Sequence, residues 1–396
     1  LGGFGPKRVQ MNPDGTMPPP PFSLGPNPES LLGAADLVFV DPVTTGYSRT
    51  KKPEDAKAFH SFEGDLDSVA EFIRLYTTRN ERWLSPKFLA GESYGAFRVA
   101  GLSEVLHQKY GFYLNGIVLV SGVLSFDTLW GSDLADICIL PALSEVAAWH
   151  DKLEGDLADN NEKRRLEVEA FARGEYASAL LQGAKLDPAK KSELAKKISG
   201  YIGLDADLIE RMNLRVDSTR FREELLRDSG EIIGRFDARI KGRDADLAGT
   251  SPWFDPSYSA VYGPFAATLK DYLRRELKFE SDRTYEILTS KVRPWDYSKA
   301  FVGQPVDVTP KLASALSENP YLKIMVNCGY QDLATPYTGI THSLDHLEIA
   351  PEFRDNISYT FYEGGHMMYT IEESNAQWNK DVADFVRENS NIENAE

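Results

Sequence analysis

One stretch constrains this chain more than any other: Lys87-Phe88-Leu89-Ala90-Gly91-Glu92-Ser93-Tyr94-Gly95-Ala96-Phe97. A short apolar run enters a glycine, a serine and a second glycine, and an apolar helical pattern follows. It reads as strand, sharp turn and helix. In the frame Gly91-x-Ser93-x-Gly95 the serine must turn tightly enough to hold its hydroxyl clear of the sheet. A side chain at either flanking position is expected to collide with the neighbouring strand or helix, and glycine carries no Cβ. A plain strand–turn–helix connection can carry the same pattern. The two readings separate on whether the rest of the chain supplies a base and an acid in a usable order.

The flanking sequence alternates between strand and helix patterns. Ala35 to Asp41 has the apolar centre of a strand buried on both faces and stops at Pro42. His60 to Arg79 repeats Phe62, Leu66, Val69, Phe72, Ile73 and Tyr76 at helical spacing. Trp83 to Pro86 is the turn before the Ser93 strand, Tyr94 to Lys109 a helix, and Leu114 to Ser121 a second buried strand. This alternation builds an α/β fold with a mostly parallel central sheet flanked by helices. Leu1 to Leu24, rich in Gly and Pro with a run from Pro18 to Pro21, reads as extended loop.

After Gly122 the rhythm stops, and no strong strand pattern is visible from about Phe126 to Lys299. Asp151 to Arg173 reads as solvated helix, Asp187-Pro188 as a cap and first-turn proline, and further helices are expected from Asp205 and over Phe221 to Leu226. The chain is therefore expected to divide into a core at 1–125, a large helical cap insertion at 126–299 and the rest of the core at 300–396. Within that last part, strands are expected at Leu322 to Gly329 and Ile357 to Tyr362. Helices are expected at Thr335 to Leu347 and Glu372 to Val386.

Composition narrows the partners. The 396 residues include 44 basic and 60 acidic side chains, a formal charge of -16, which argues against nucleic acid or anionic membrane as a partner. No apolar run approaches the roughly 18 residues of a membrane span. Cys138 and Cys328 read as small buried hydrophobes, with one disulfide left open. The chain opens on Leu1-Gly2-Gly3, so removal of a leader, or of more, is expected to have preceded it; export to periplasm or medium is compatible with this.

A serine hydroxyl becomes a nucleophile when a neighbouring base takes its proton, and that base needs an acid to hold its tautomer. Asp332 follows one strand pattern and His366 the next, where a parallel sheet places its ligand-facing loops. Serine, acid, histidine is the chain order of α/β hydrolases, in which Gly-x-Ser-x-Gly is the nucleophile elbow. Asp345, on a helix, and Glu363, only three residues from His366, are weaker acids for the role. His60, His107 and His150 read as structural or exposed. His342 and His346 share a helix face but lack the glutamate of a zinc protease, so no metal is assigned.

Together these residues resemble the serine carboxypeptidase family. Gly91-Glu92-Ser93-Tyr94-Gly95 is similar to its nucleophile motif, and Asn27-Pro28 with Asp41-Pro42-Val43-Thr44-Thr45-Gly46-Tyr47-Ser48 to its Asn-Pro and Asp-Pro-Val-x-Thr-Gly-Tyr-Ser stretch. Gly365-His366-Met367 resembles its histidine motif. The resemblance implies Ser93 as nucleophile, His366 as general base and acid, and Asp332 as its orienter. It implies the Tyr94 N–H as an oxyanion donor and a protonated Glu92 holding the C-terminal carboxylate of a peptide substrate. Met367 would line the pocket for the last residue and the Tyr94 side chain the pocket across the scissile bond. No metal or organic cofactor is implied. The low cysteine count resembles bacterial members.

Two departures follow. The family's Asn-Gly-Gly-Pro-Gly loop, source of the other oxyanion donor and a carboxylate-binding asparagine, is not present. Leu1-Gly2-Gly3-Phe4-Gly5-Pro6 resembles the segment after it. Either an N-terminal segment of the same protein supplies the loop or a donor has been lost, which costs on the order of 10²–10³ in rate. Gly3 stands where many carboxypeptidases of the family place a second glutamate, so activity is expected to persist to higher pH than in its relatives. An esterase or acyltransferase on the same triad, and a non-catalytic binding protein with a degraded oxyanion hole, are the alternatives.

Overall fold

The computed structural model describes residues 3–246 and 248–390; Leu1 and Gly2, the start of the segment compared with the family above, lie outside the described residues. The Gly- and Pro-rich start is not all loop. β1 (Lys7–Val9) and β2 (Leu24–Pro26) pair as a small antiparallel ribbon. β3 (Phe88–Glu92), β4 (Gly116–Val120), β7 (Lys323–Gly329) and β8 (Ile357–Tyr362) form a parallel sheet in the order β3-β4-β7-β8. Between its halves, β5 (Ile232–Ile233) and β6 (Lys241–Gly242) make a second short ribbon.

The sheet is buried through its centre because β4, Gly-Ile-Val-Leu-Val, carries no polar side chain and is covered on both faces. Successive side chains go to opposite faces. Ile117 and Leu119 join a core with Phe62 and Leu66 of helix α1 (Phe62–Arg79) and Phe97 and Leu106 of α2 (Tyr94–Tyr110). Val118 and Val120 pack instead with Trp378, Val382 and Phe385 of the C-terminal helix Glu372–Asn389. α1 starts where Ser61 accepts the Gly64 N–H, and α2 ends on Gly111 at φ 68.

Residues between β4 and β7 are largely helical, beginning with α3 (Asp133–Trp149). The caps expected there form: Asp187 accepts the Lys190 N–H with Pro188 opening Pro188–Ile202, and Asp205 accepts the Leu208 N–H ahead of Ala206–Arg211. The charged section 151–173 is two helices, Asp156–Asp159 and Asn161–Phe171, the latter running into a π-turn. Cys138 and Cys328 are buried free thiols.

Two expectations fail. Ala35 to Asp41 is not a strand: among the described residues the main chain from 36 to 41 makes no hydrogen bond. Its apolar run is strand-like, yet a strand exists only with a partner, and no neighbouring edge reaches it. Val38, Phe39 and Val40 are consequently 43%, 63% and 37% exposed. The second failure concerns the flanking glycines. A Cβ on Gly91 would lie 2.1 Å from the Gly95 carbonyl oxygen, but one on Gly95 meets nothing within 4 Å.

Gly91→Ala is therefore expected to lose at least about 2 kcal/mol of stability in denaturant unfolding, the scale of core overpacking. Gly95→Ala in the same chain should be neutral or gain up to about 1 kcal/mol from helix propensity.

Candidate active site

Ser93 follows β3 with φ 59 and ψ -122, a left-handed backbone that costs a non-glycine residue about 1–3 kcal/mol. Its N–H bonds to the Val120 carbonyl at 3.0 Å and its carbonyl accepts the Ala96 N–H at 3.0 Å, so sheet and helix hold the turn from both sides. The Tyr94 N–H opens α2 with no backbone acceptor among the described residues, as first-turn amides do. The Tyr94 ring is stacked on Phe97 at 5.6 Å and meets Trp295 edge-on at 5.5 Å, with Arg98 over its face.

The loops after β7 and β8 are laced together. Tyr330 N–H bonds to Tyr362 O and Gln331 N–H to Gly364 O, while the Gln331 side chain accepts the Gly364 N–H and donates to Glu363. That lacing brings Asp332 Oδ2 to 2.7 Å from His366 Nδ1. Asp332 Oδ1 accepts the Ala334 and Thr335 amides at 2.7 and 3.0 Å. Thr335 Oγ1 lies 2.8 Å from Asp332 Oδ2, 3.0 Å from His366 Nδ1 and 2.7 Å from Ser121 O. Ser121, directly after β4, donates from Oγ to His366 O. The carboxylate is thus fixed on both oxygens, and the imidazole is held through Nδ1.

His366 is 4% exposed, with the Phe236 ring 5.1 Å away and the Phe236 carbonyl accepting its N–H. Burial pulls its pKa down, but the charge and hydrogen bond of Asp332, with help from Glu92, outweigh this and raise it. Ser93 Oγ and His366 Nε2 are not hydrogen-bonded, and Nε2 has no partner among the described residues. Such contacts commonly close only when substrate is bound.

Glu92 accepts a 2.7 Å hydrogen bond from the Tyr369 hydroxyl. Burial holds its carboxyl above the usual range and Asp332 adds to this; His366 and the Tyr369 bond oppose the shift without cancelling it. Tyr369 stacks on Trp378, which stacks on Phe4. A Cβ on Gly3 would fall 1.9 Å from the Trp378 ring, so no glutamate fits there while the tryptophan stays. Met367 is half-buried and packs against the apolar cluster that contains Met368, Tyr369 and Trp378.

Neither Asp345 nor Glu363 bonds to His366; Glu363 is paired with Gln331 and lies 3.5 Å from Arg165. His60 bonds to Thr44, His150 to the Ala238 carbonyl, and His342 and His346 stack on one helix. Among the described residues no cluster of three or more His, Cys, Asp or Glu is placed to hold a metal ion. Sequence reasoning missed Thr335, Ser121, Tyr369 and Phe236. The first and third each lie three residues beyond a singled-out residue; nothing local marked Phe236.

The model of the serine carboxypeptidase family (peptidase S10) matches residues 4–381. The chain belongs to the serine carboxypeptidase family. It is a hydrolase of serine carboxypeptidase type on the α/β-hydrolase fold. Among solved structures it is similar to Kex1(Δ)p, a prohormone-processing carboxypeptidase from Saccharomyces cerevisiae. The identity is 17% and the TM-score 0.54, covering 98% of this chain and 79% of that one. It is also matched to proline iminopeptidase of Mycobacterium smegmatis, at 14% identity and a TM-score of 0.32 over 86% of this chain and 76% of the other. No curated protein sequence matches it. No helix among the described residues is long and apolar enough to cross a membrane.

Asp332→Asn should lower the pKa of His366, because the neutral amide withdraws the attraction that offsets burial. An NMR titration of the imidazole in both proteins measures the change, and an unchanged or higher value would contradict the electrostatic assignment.

Proposed function

We propose that this serine carboxypeptidase releases C-terminal residues from peptides through an acyl-enzyme on Ser93. The observation that carries the reading is the buried 2.7 Å contact of Asp332 with His366 Nδ1 at the same end of the sheet as the strained Ser93. Asp332 keeps the proton on Nδ1, so Nε2 is the free base. Nε2 takes the Ser93 proton as Oγ attacks the scissile carbonyl. The oxyanion forms at the Tyr94 N–H, and collapse expels the last residue, whose amine leaves with the proton from Nε2. Water then repeats the sequence and frees Ser93.

Glu92 gives the exopeptidase character. A carboxyl held neutral by burial donates a hydrogen bond to the substrate's terminal carboxylate, and Tyr369 keeps it aimed. In this reading Met367 borders the pocket for the last side chain and Tyr94 the pocket across the scissile bond. We further propose the division into core 1–125, cap 126–299 and core 300–396. Family membership supports the peptide reading over an esterase or acyltransferase.

Intact-mass analysis after a fluorophosphonate should show one adduct, abolished by Ser93→Ala. No adduct in the protein as encoded would favour a binding protein. Free-acid peptides should be cleaved and their amides spared; equal cleavage would point to the esterase-type alternative.

The pH dependence has a fixed sign. Raising pH ionises Glu92, which then repels the substrate carboxylate, so KM should climb with pH, while Glu92→Gln should keep KM flat. A wild-type KM independent of pH would remove Glu92 from recognition.

A further inference from the structure

Two neighbouring arginines on the insertion helix Asn161–Phe171, Arg164 and Arg165, share one carboxylate and then part ways. Glu145, on α3, is 2% exposed and accepts Arg164 on both oxygens, at 3.1 and 3.0 Å. Arg164 also donates to the Leu157 carbonyl at 2.9 Å, so its hydrogen bonds stay within the insertion. Arg165 adds a 2.8 Å bond to Glu145 Oε2 and then reaches the core. Its guanidinium lies 3.4 Å from the centre of the Tyr330 ring and 3.5 Å from Glu363 Oε1. Tyr330 stands two residues before Asp332 and Glu363 three before His366. One side chain of the insertion therefore touches both loops that carry the acid and the base.

The insertion does not need this second arginine to neutralise Glu145, because Arg164 already grips both carboxylate oxygens. Arg165 Nε is buried with no hydrogen-bond partner among the described residues, a cost that packing alone does not explain. What the guanidinium gains is the face of Tyr330. That ring is fixed from behind, stacked on Phe361 at 5.5 Å and edge-on to Tyr337 at 5.5 Å. One helical turn beyond Arg165, Glu169 accepts the Tyr337 hydroxyl at 2.9 Å. Tyr330 and Tyr337 bracket Asp332, so the helix holds the acid loop on both flanks. Glu363 is half exposed and its ion pair with Arg165 is weak by itself. It nevertheless accepts the Gln331 side chain at 3.0 Å, which carries the contact back to the residue before Asp332.

We propose that Arg165 is a positioning residue for the acid and the base. Anchored on Glu145, it holds Tyr330 and Glu363 together and so sets Asp332 Oδ2 against His366 Nδ1. That 2.7 Å contact crosses from one loop to the other, so its length follows the placement of the loops relative to each other. Backbone bonds from Tyr330 to Tyr362 and from Gln331 to Gly364 fix the loops where they leave the sheet. Arg165 fixes them from the opposite side, through side chains. Its effect on turnover rests on the catalytic reading above.

Arg165→Ala leaves Glu145 with both bonds to Arg164, so the protein should fold and its melting temperature should change little. With a free-acid peptide, kcat should fall on the order of 10- to 10²-fold, the scale of a small misplacement of reacting groups, while KM holds. The Nδ1 proton of His366 gives a low-field NMR resonance that reports the Asp332 contact without turnover. In Arg165→Ala it should move upfield or broaden away. Arg164→Lys is the control. It loses the two-pronged grip on buried Glu145, so its melting temperature should drop further than that of Arg165→Ala. Arg164 makes no polar contact with either loop, so kcat and the resonance should stay as they are.

An unchanged kcat in Arg165→Ala, or an unmoved Nδ1 resonance, overturns the proposal. So does an equal loss of kcat in Arg164→Lys, because the effect would then belong to the packing of the insertion as a whole. Should the unaltered protein cleave no peptide, the catalytic reading fails by itself. The resonance in the two variants then still decides whether Arg165 places Asp332 against His366.

Discussion

Residues 93, 121, 332 and 366 all follow the ends of four parallel strands that run in register. Glu92 pairs with Val120, Val120 with Asn327 and Asn327 with Thr360, so the loops that follow leave the sheet side by side. A slip of one residue would turn every side chain of a strand to the wrong face. Asn327 guards against it from the centre of β7. Fully buried, it donates to Thr360 Oγ1 at 2.6 Å, accepts the Trp378 indole N–H at 3.1 Å, and its carbonyl takes the Ser121 N–H at 2.8 Å. A polar group in that position is tolerated only while its partners are in place, so it penalises other registers more than it stabilises this one.

The same geometry couples the titrations of His366 and Glu92. Attraction to an ionised Glu92 helps raise His366, and attraction to a protonated His366 holds Glu92 down. Once Glu92 is neutral, one of the influences keeping a proton on His366 disappears; once His366 is neutral, one of the influences ionising Glu92 disappears. The attraction is present only when Glu92 is ionised and His366 protonated, so it favours that ion pair over the neutral pair that carries the same single proton. The proton affinity of each group therefore depends on the charge of the other.

What the sequence made legible was whatever depended on neighbours close in the chain. Ile357 to Tyr362 reads as a strand from its own alternation and pairs along its whole length with β7, and Asp187 caps its helix through an amide three residues on. Ala35 to Asp41 failed because strand character was judged from apolar residues, whereas a strand is completed by an edge elsewhere. The flanking glycines failed in half: Gly91 is confined by its own turn, whereas a Cβ on Gly95 meets nothing within 4 Å. Position 3, where the resemblance places a partner for Glu92, is a glycine. The partner is Tyr369, placed by the turn after His366 and wedged there by Trp378, a contact that no local pattern encodes.

Phe236 shows the limit from another side. The segment 235–238 lies in a region read from sequence as cap, yet Arg235 O accepts the Leu333 N–H, Phe236 O the His366 N–H, and the Ala238 N–H bonds to Gln331 O. It ties down both loops that carry the acid and the base. A Cβ on Gly365 would fall 2.0 Å from Phe236 O, so the glycine before His366 is what lets this segment come close. The residues between β4 and β7 therefore hold the backbone of His366 in addition to covering it, with the Phe236 ring 5.1 Å from the imidazole. These ties are backbone hydrogen bonds, which leave the side chains of 235–238 free to vary without disturbing the contact of Asp332 with His366.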